Sequence, residues 1–154
     1  GSDDKVAAIA ELTDAINYKT QDFEQVINEK TDNGGVDIIL DMVGAPYLER
    51  NLHLLRRDGR LVYIAFLAGA KAKDVKLGQI MMKRLTITGS TMRARTTAEK
   101  AEIAQGLKDT VTPLWAKGEC LPMIYKTFKF DQIVDAHIAM DIGDHVGKIV
   151  VEAL

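Results

Sequence analysis

Gly35-Val36-Asp37-Ile38-Ile39-Leu40-Asp41-Met42-Val43-Gly44 is the stretch on which the fold turns. Between its glycines the apolar residues run almost without interruption instead of alternating. That predicts a strand over 36–43 buried on both faces, the habit of a parallel sheet covered by helices. Asp41 is out of place in such a run, because a buried carboxylate requires partners. Those partners are either structural or supplied by a neighbouring cofactor.

Downstream, Gly44 ends the strand, Pro46 suits the first turn of a helix, and Leu48, Leu52 and Leu55 form its inner stripe until Asp58-Gly59. A strand over 60–66, a short helix over 77–82 and a β-rich segment over 85–91 follow. Thr96 and Glu99 have capping-box spacing and introduce a longer helix with Ala104, Leu107, Val111 and Leu114 or Trp115 facing inward, closed by Gly118. The remainder reads as a strand over 124–130, a capped helix over 131–141 and a strand over 148–152. Upstream, Val6, Ile9 and Ala10 share one face of a helix over 5–12, behind the capping candidates Ser2, Asp3 and Asp4. A short strand over 15–18 precedes a helix opened by Asp22 and Gln25 and stopped by Gly34-Gly35.

Strands alternating with helices through short connections define an α/β chain with a mostly parallel sheet. The alternation changes near Gly118 to Pro122, which places a boundary between 1–118 and 119–154. With 154 residues, 47% hydrophobic and 27% charged, the chain can bury a core. A formal net charge of -2 gives no positive field for nucleic acid or an anionic membrane. The apolar runs are too short to span a bilayer. Cys120 is the single cysteine, so no intrachain disulfide can form, in keeping with a reducing, cytoplasmic setting.

Several segments, in order and across essentially the whole chain, resemble the zeta-crystallin-like quinone oxidoreductases of the medium-chain dehydrogenase/reductase superfamily. They are Gly1-Ser2-Asp3-Asp4-Lys5, Ala15-Ile16-Asn17-Tyr18, the 35–44 stretch, Gly59-Arg60-Leu61-Val62, Lys83-Arg84-Leu85, Gly89-Ser90-Thr91-Met92-Arg93-Ala94-Arg95, Ala136-His137 and Val146-Gly147-Lys148-Ile149-Val150-Val151. The resemblance implies a partial Rossmann-like, doubly wound sheet over 1–118 and a strand-helix-strand segment of the catalytic domain over 119–154. The first two strands and the glycine-rich phosphate turn would lie upstream, because the adjacent glycines Gly34-Gly35 precede a strand rather than a helix. The chain is thus expected to be the C-terminal half of a longer enzyme, inactive or weakly active alone.

The resemblance also implies a cofactor, NADPH, and hydride transfer to a quinone or conjugated carbonyl without zinc. Ser2 and Lys5 would grip the adenosine 2'-phosphate and Tyr18 would flank it. Asp3 and Asp4 either cap the helix or repel phosphate, the second being the NAD-type arrangement. Val43 and Gly44, and then Phe66 and Leu67, would line the nicotinamide end; Lys148 would stand near the cofactor. Each has an ordinary alternative: Lys5 and Lys148 as solvated charges, Gly44 as a turn, Phe66 as the end of a core strand. Arg93 and Arg95, two apart on an extended segment, either serve an anion or line a solvated edge. His53, His137 and His145 form no zinc or nucleophile motif, so no catalytic residue is assigned. A homodimer through the 85–91 edge is the expected assembly. The alternatives are a non-catalytic dimerisation module of the same fold, or part of another zinc-independent medium-chain reductase acting on enoyl groups or alcohols.

Overall fold

The computed structural model describes residues 1–153 and divides them into two compact units. Gly1–Val6 and Asp14–Thr96 form the first, and Ala7–Thr13 joins the residues from Thr97 onward in the second. The helices between Thr97 and Gly118 therefore count with the second unit.

The first unit contains all but the last residue of α1 (Asp3–Ala7), then α2 (Phe23–Lys30), β1 (Val36–Asp41), a 3-10 turn (Ala45–Tyr47), α3 (Leu48–Leu54), β2 (Leu55–Tyr63), α4 (Gly78–Lys83) and β3 (Thr86–Gly89). The sheet runs β1-β2-β3 and every pairing is parallel. Parallel neighbours need a crossover between them, which α3 and α4 supply. The α/β class is as expected. The register sets Asp41 opposite Tyr63 and Tyr63 opposite Gly89, so all three strands end at one level.

Leu52, Leu55, Leu61 and Leu85 form the core of this sheet, with Val36, Ile39, Leu48, Tyr63, Val75 and Ile80 packed against it. The stripe read from Leu48, Leu52 and Leu55 is the face that does this, although the helix ends at Leu54 and Leu55 already belongs to β2. The helix expected to run to Asp58-Gly59 and the strand expected over 60–66 are displaced: β2 already passes through Asp58 and Gly59 and ends at Tyr63, with an irregular register on the way. Pairing jumps from Leu55 to Arg60 while β1 advances only from Val36 to Ile38. Lys83 locks α4 to the end of α3, its Nζ donating to the carbonyls of Leu52, His53 and Leu55 at 3.0, 2.8 and 2.8 Å. Two of the three carbonyls, those of Leu52 and His53, belong to the last turn of α3, where helical partners run out.

Three expectations need correction here. β1 is covered on one face rather than two: Ile38 and Leu40 are each 64% exposed while Ile39 and Asp41 point inward. Strand side chains alternate, and α3 and α4 cover only one side of this three-stranded sheet. Residues 15–18 are not a strand. Asn17 directs a turn instead, its Oδ1 accepting the Lys19 N–H at 3.2 Å and its carbonyl accepting from Thr20 and Gln21 at 3.0 and 2.9 Å. Such local side-chain bonds compete with a sheet ladder. The helix expected over 5–12 is regular only over Asp3–Ala7 and continues as turns.

The second unit contains α5 (Thr97–Thr110), α6 (Thr112–Ala116), β4 (Ile124–Lys129), a 3-10 turn (Phe130–Gln132), α7 (Ile133–Ile142) and β5 (Lys148–Glu152). β4 and β5 pair in parallel with α7 as the crossover, which is the expected strand-helix-strand segment. Phe128 and Ala136 are its buried apolar residues. The inward face predicted for α5 and α6 is not buried: Leu107 and Trp115 are 56% and 51% exposed. Helical periodicity marks an apolar face without specifying its cover. Among the described residues, no helix is long and apolar enough to cross a membrane.

Candidate functional site

The level ends of β1, β2 and β3 put three loops side by side at the carboxyl edge of the sheet, where open α/β folds bind ligands. Four backbone bonds zip two of these loops together. Ile64, Leu67 and Ala68 donate to the carbonyls of Asp41, Met42 and Val43 at 2.9, 3.0 and 2.9 Å, and Ala45 donates to the Gly69 carbonyl at 2.8 Å. Val43, Gly44, Phe66 and Leu67 thus form one continuous edge. Gly44 has φ 97° and ψ −138°, a conformation that only glycine holds readily. A Cβ there would collide with the Gly69 carbonyl oxygen and meet Phe66 Cδ1 at 2.9 Å.

Asp41 closes β1 with its side chain turned inward and only 4% of its surface exposed. Its Oδ1 accepts the N–H groups of Val43 and Gly44 at 2.5 and 3.1 Å, and its Oδ2 accepts Asn51 Nδ2 at 2.7 Å. Of the two readings left open by sequence, the structure supplies the partners within the fold. Asn51, 4% exposed, is a partner that the sequence analysis did not single out. It sits three residues after Leu48 and four before Leu55, so a polar residue within an apolar helix stripe was the available signal.

Between the ends of β2 and β3 lies an open cleft of about 420 Å³ bounded by Tyr63, Ile64, Phe66, Gly89, Ser90 and Thr91. The Tyr63 and Phe66 rings lean together with centroids 5.1 Å apart. Burial pushes the Tyr63 phenol above its ordinary pKa of 10.0, and the negative charge of Asp41 pushes it further in the same direction. The folded state therefore holds that proton more tightly than the unfolded chain does. Its contribution to stability is complete below the ordinary phenol pKa and is lost as pH rises through the raised folded value. Urea midpoints measured across the alkaline range should fall with pH in the parent chain and fall less in Tyr63→Phe. Identical slopes would refute the linkage.

The third loop departs from expectation. Residues 92–94 turn instead of running extended, and Arg95 Nη2 donates to Ser90 Oγ at 2.9 Å. A two-residue alternation of Arg93 and Arg95 does not arise, because alternation requires strand geometry.

A second group gathers around the chain's first residues. Lys5 N–H approaches Ser2 Oγ at 3.4 Å. Asn17, 5% exposed, donates from Nδ2 to Asp3 Oδ1 at 2.7 Å. Gly1 lies so near Tyr18 that a Cβ on it would meet the ring at 2.9 Å. Ser2 and Lys5 thus share the first turn of α1, Tyr18 lies against the preceding Gly1, and the Asp3 carboxylate of the same turn is engaged by Asn17. Lys148 opens β5 in the second unit, exposed, its backbone N–H bonded to the Met123 carbonyl at 2.8 Å.

The histidines remain apart. His53 Nδ1 lies 3.3 Å from Glu24 Oε1, His137 lines an apolar hollow beside Met140, and His145 packs on Tyr125. Among the described residues, no group of three or more His, Cys, Asp or Glu could hold a metal ion. The donor set that zinc requires is not formed by these residues.

A parallel sheet with crossover helices, level strand ends and a glycine-tight loop at the carboxyl edge defines the class of open α/β folds. The chain belongs to the zinc-binding dehydrogenase family, whose model matches residues 11–151, within the medium-chain dehydrogenase/reductase superfamily. It is 29% identical over 140 residues to a 2-haloacrylate reductase of a Burkholderia species, covering 88% of this chain and 40% of that protein. It is 22% identical over 151 residues to quinone oxidoreductase-like protein 2 of Bos taurus, covering 97% and 43%. The structure of an alcohol dehydrogenase zinc-binding domain protein from Burkholderia ambifaria superposes with a TM-score of 0.76 at 23% identity, covering 99% of this chain and 40% of that one. The chain thus spans about two-fifths of the length of the curated relatives it matches.

Proposed function

We propose that this chain forms part of the NADPH site of a reductase that transfers hydride to a quinone or a conjugated carbonyl compound. The observation that carries the reading is the edge made by Val43, Gly44, Phe66 and Leu67, a surface of backbone and apolar side chains suited to a flat ring. Bound NADPH would supply the hydride. The chain's contribution is to hold the ring against the Gly44 loop and to keep one side of it dry. The Ser2, Lys5 and Tyr18 group is the other half of the reading, a cation and hydroxyls suited to a ribose phosphate. Asn17 occupies one oxygen of the Asp3 carboxylate, which leaves it less free to accept from ribose hydroxyls and supports NADPH over NADH. Relatives named for 2-haloacrylate and for quinones support an electron-poor double bond or quinone as the acceptor class.

Calorimetric titration with both nucleotides tests this. NADPH should bind more tightly than NADH, and Lys5→Glu should weaken NADPH by about tenfold or more, the order of one charge-assisted phosphate contact, while changing NADH less. Equal loss for both nucleotides would sink the assignment of Lys5. Wild-type preference for NADH would overturn the cofactor.

A further inference from the structure

We propose that Asp41 and Asn51 are positioning residues of the nucleotide edge: the buried carboxylate, held from behind by Asn51, sets the shape of the Val43-Gly44 turn. The inference rests on the reading of that edge as part of an NADPH site. It adds two side chains that need not touch the nucleotide.

Each oxygen of the Asp41 carboxylate has a defined task. Oδ1 faces forward and gathers two consecutive backbone N–H groups, those of Val43 and Gly44; Oδ2 faces back and is held by the Asn51 amide. Three N–H donors satisfy a carboxylate that is almost wholly buried, without a cation. A side chain bonding its own backbone two and three residues on is a turn-forming device. Here it forces the chain into the Gly44 conformation.

The effect passes across the edge through backbone. With 42–45 held, the carbonyls of Met42 and Val43 face the N–H groups of Leu67 and Ala68, and the Ala45 N–H faces the Gly69 carbonyl. The position of Phe66 therefore follows from the turn at Asp41. At the other end, Asn51 stands on α3 next to Leu52, one of the most deeply buried residues of the unit. Core packing fixes the helix, the helix fixes Asn51, Asn51 orients Asp41, and Asp41 shapes the loop. Had the pair served the core alone, its forward oxygen would not be spent on two amides beyond the end of the strand.

The test compares the parent chain, Asp41→Asn, and the exchanged double variant Asp41→Asn with Asn51→Asp. In the single variant a neutral amide replaces the carboxylate: its oxygen stays on the loop only if Asn51 turns its own oxygen toward the new N–H group, and the two loop N–H groups then lose their charged acceptor. In the double variant the carboxylate at 51 accepts from the amide at 41, whose oxygen still takes the two loop N–H groups. Amide hydrogen exchange at Val43 and Gly44 and NADPH affinity by calorimetry are measured well below the melting temperature. Asp41→Asn should speed exchange at both amides about tenfold or more and weaken NADPH about tenfold, the effect of roughly one lost hydrogen bond to a charged group. The double variant should recover both to within about threefold of the parent.

Unchanged exchange or affinity in a folded Asp41→Asn variant overturns the proposal. If the single variant does not fold, the double variant decides: folded with near-parental affinity it supports the positioning role, folded without it the role is refuted. A parent chain that binds no NADPH removes the functional reading on which the proposal rests. Exchange at Val43 and Gly44 then still supports or refutes the Asp41 grip on the turn.

Discussion

Gly44→Ala is expected to destabilise the first unit by about 2–6 kcal/mol and to reduce NADPH binding below detection. Two costs add. A side chain at φ 97° and ψ −138° carries backbone strain of about 1–3 kcal/mol. The new Cβ also meets the Gly69 carbonyl and the Phe66 ring, and overpacking of this kind costs about 1–3 kcal/mol more. The collision is with backbone, which cannot rotate away, so relief requires separating the two loops. Gly69 is the internal control. It too has positive φ, 123°, but nothing lies within 4 Å of a Cβ there. Gly69→Ala should therefore show the strain without the collision and lose less stability. Urea unfolding and calorimetry check both variants, and equal effects at the two glycines would refute the role given to loop contact.

Leu61→Ala carries the other large effect. Leu61 is 0% exposed near the carboxyl end of β2 and packs among Leu52, Leu55 and Leu85. Removing its side chain should cost about 2–5 kcal/mol, the transfer term plus the cavity left behind. Against the total stability of about 5–15 kcal/mol usual for a domain, that is enough to leave much of the unit unfolded near physiological temperature. Leu40, on the adjacent strand but 64% exposed, supplies the contrast. Leu40→Ser should change stability by no more than about 0.5 kcal/mol. Urea midpoints read the difference, and similar losses at both positions would contradict the one-sided core.

The apolar run after Gly35 announced β1, and the run at the chain's end announced β5 over the residues it occupies, 148–152. Asp22 was legible as a cap, and its carboxylate accepts from Glu24 and Gln25 at 2.8 and 3.2 Å. Leu48, Leu52 and Leu55 were legible as a buried stripe, and Asp41 as a carboxylate needing partners. These features share a cause: period, capping and turn chemistry act over a few residues and are written in their order.

Other features were settled by residues far apart in sequence. Residues 15–18 have strand composition, yet Asn17 reaches back to Asp3 and bonds its own following backbone, and the turn prevails. Leu55 fits the helix stripe by spacing but is taken into β2, where Val36 is its partner. Apolar Leu40 and Leu107 were expected inside and lie half-exposed or more, because periodicity describes a face and not what covers it. The candidate site divides along the same line. Sequence nominated Val43, Gly44, Phe66 and Leu67 one by one, but only the parallel register of β1 and β2 made them a single edge. Asn51 entered through the packing of α3 alone. The sequence by itself determined the α/β class and the place of most strands and helices, among them β1, α2 and β5. Tertiary structure decided which face is covered, who satisfies Asp41 and which loops meet, because burial and hydrogen bonding between distant segments exist only once the strands have paired.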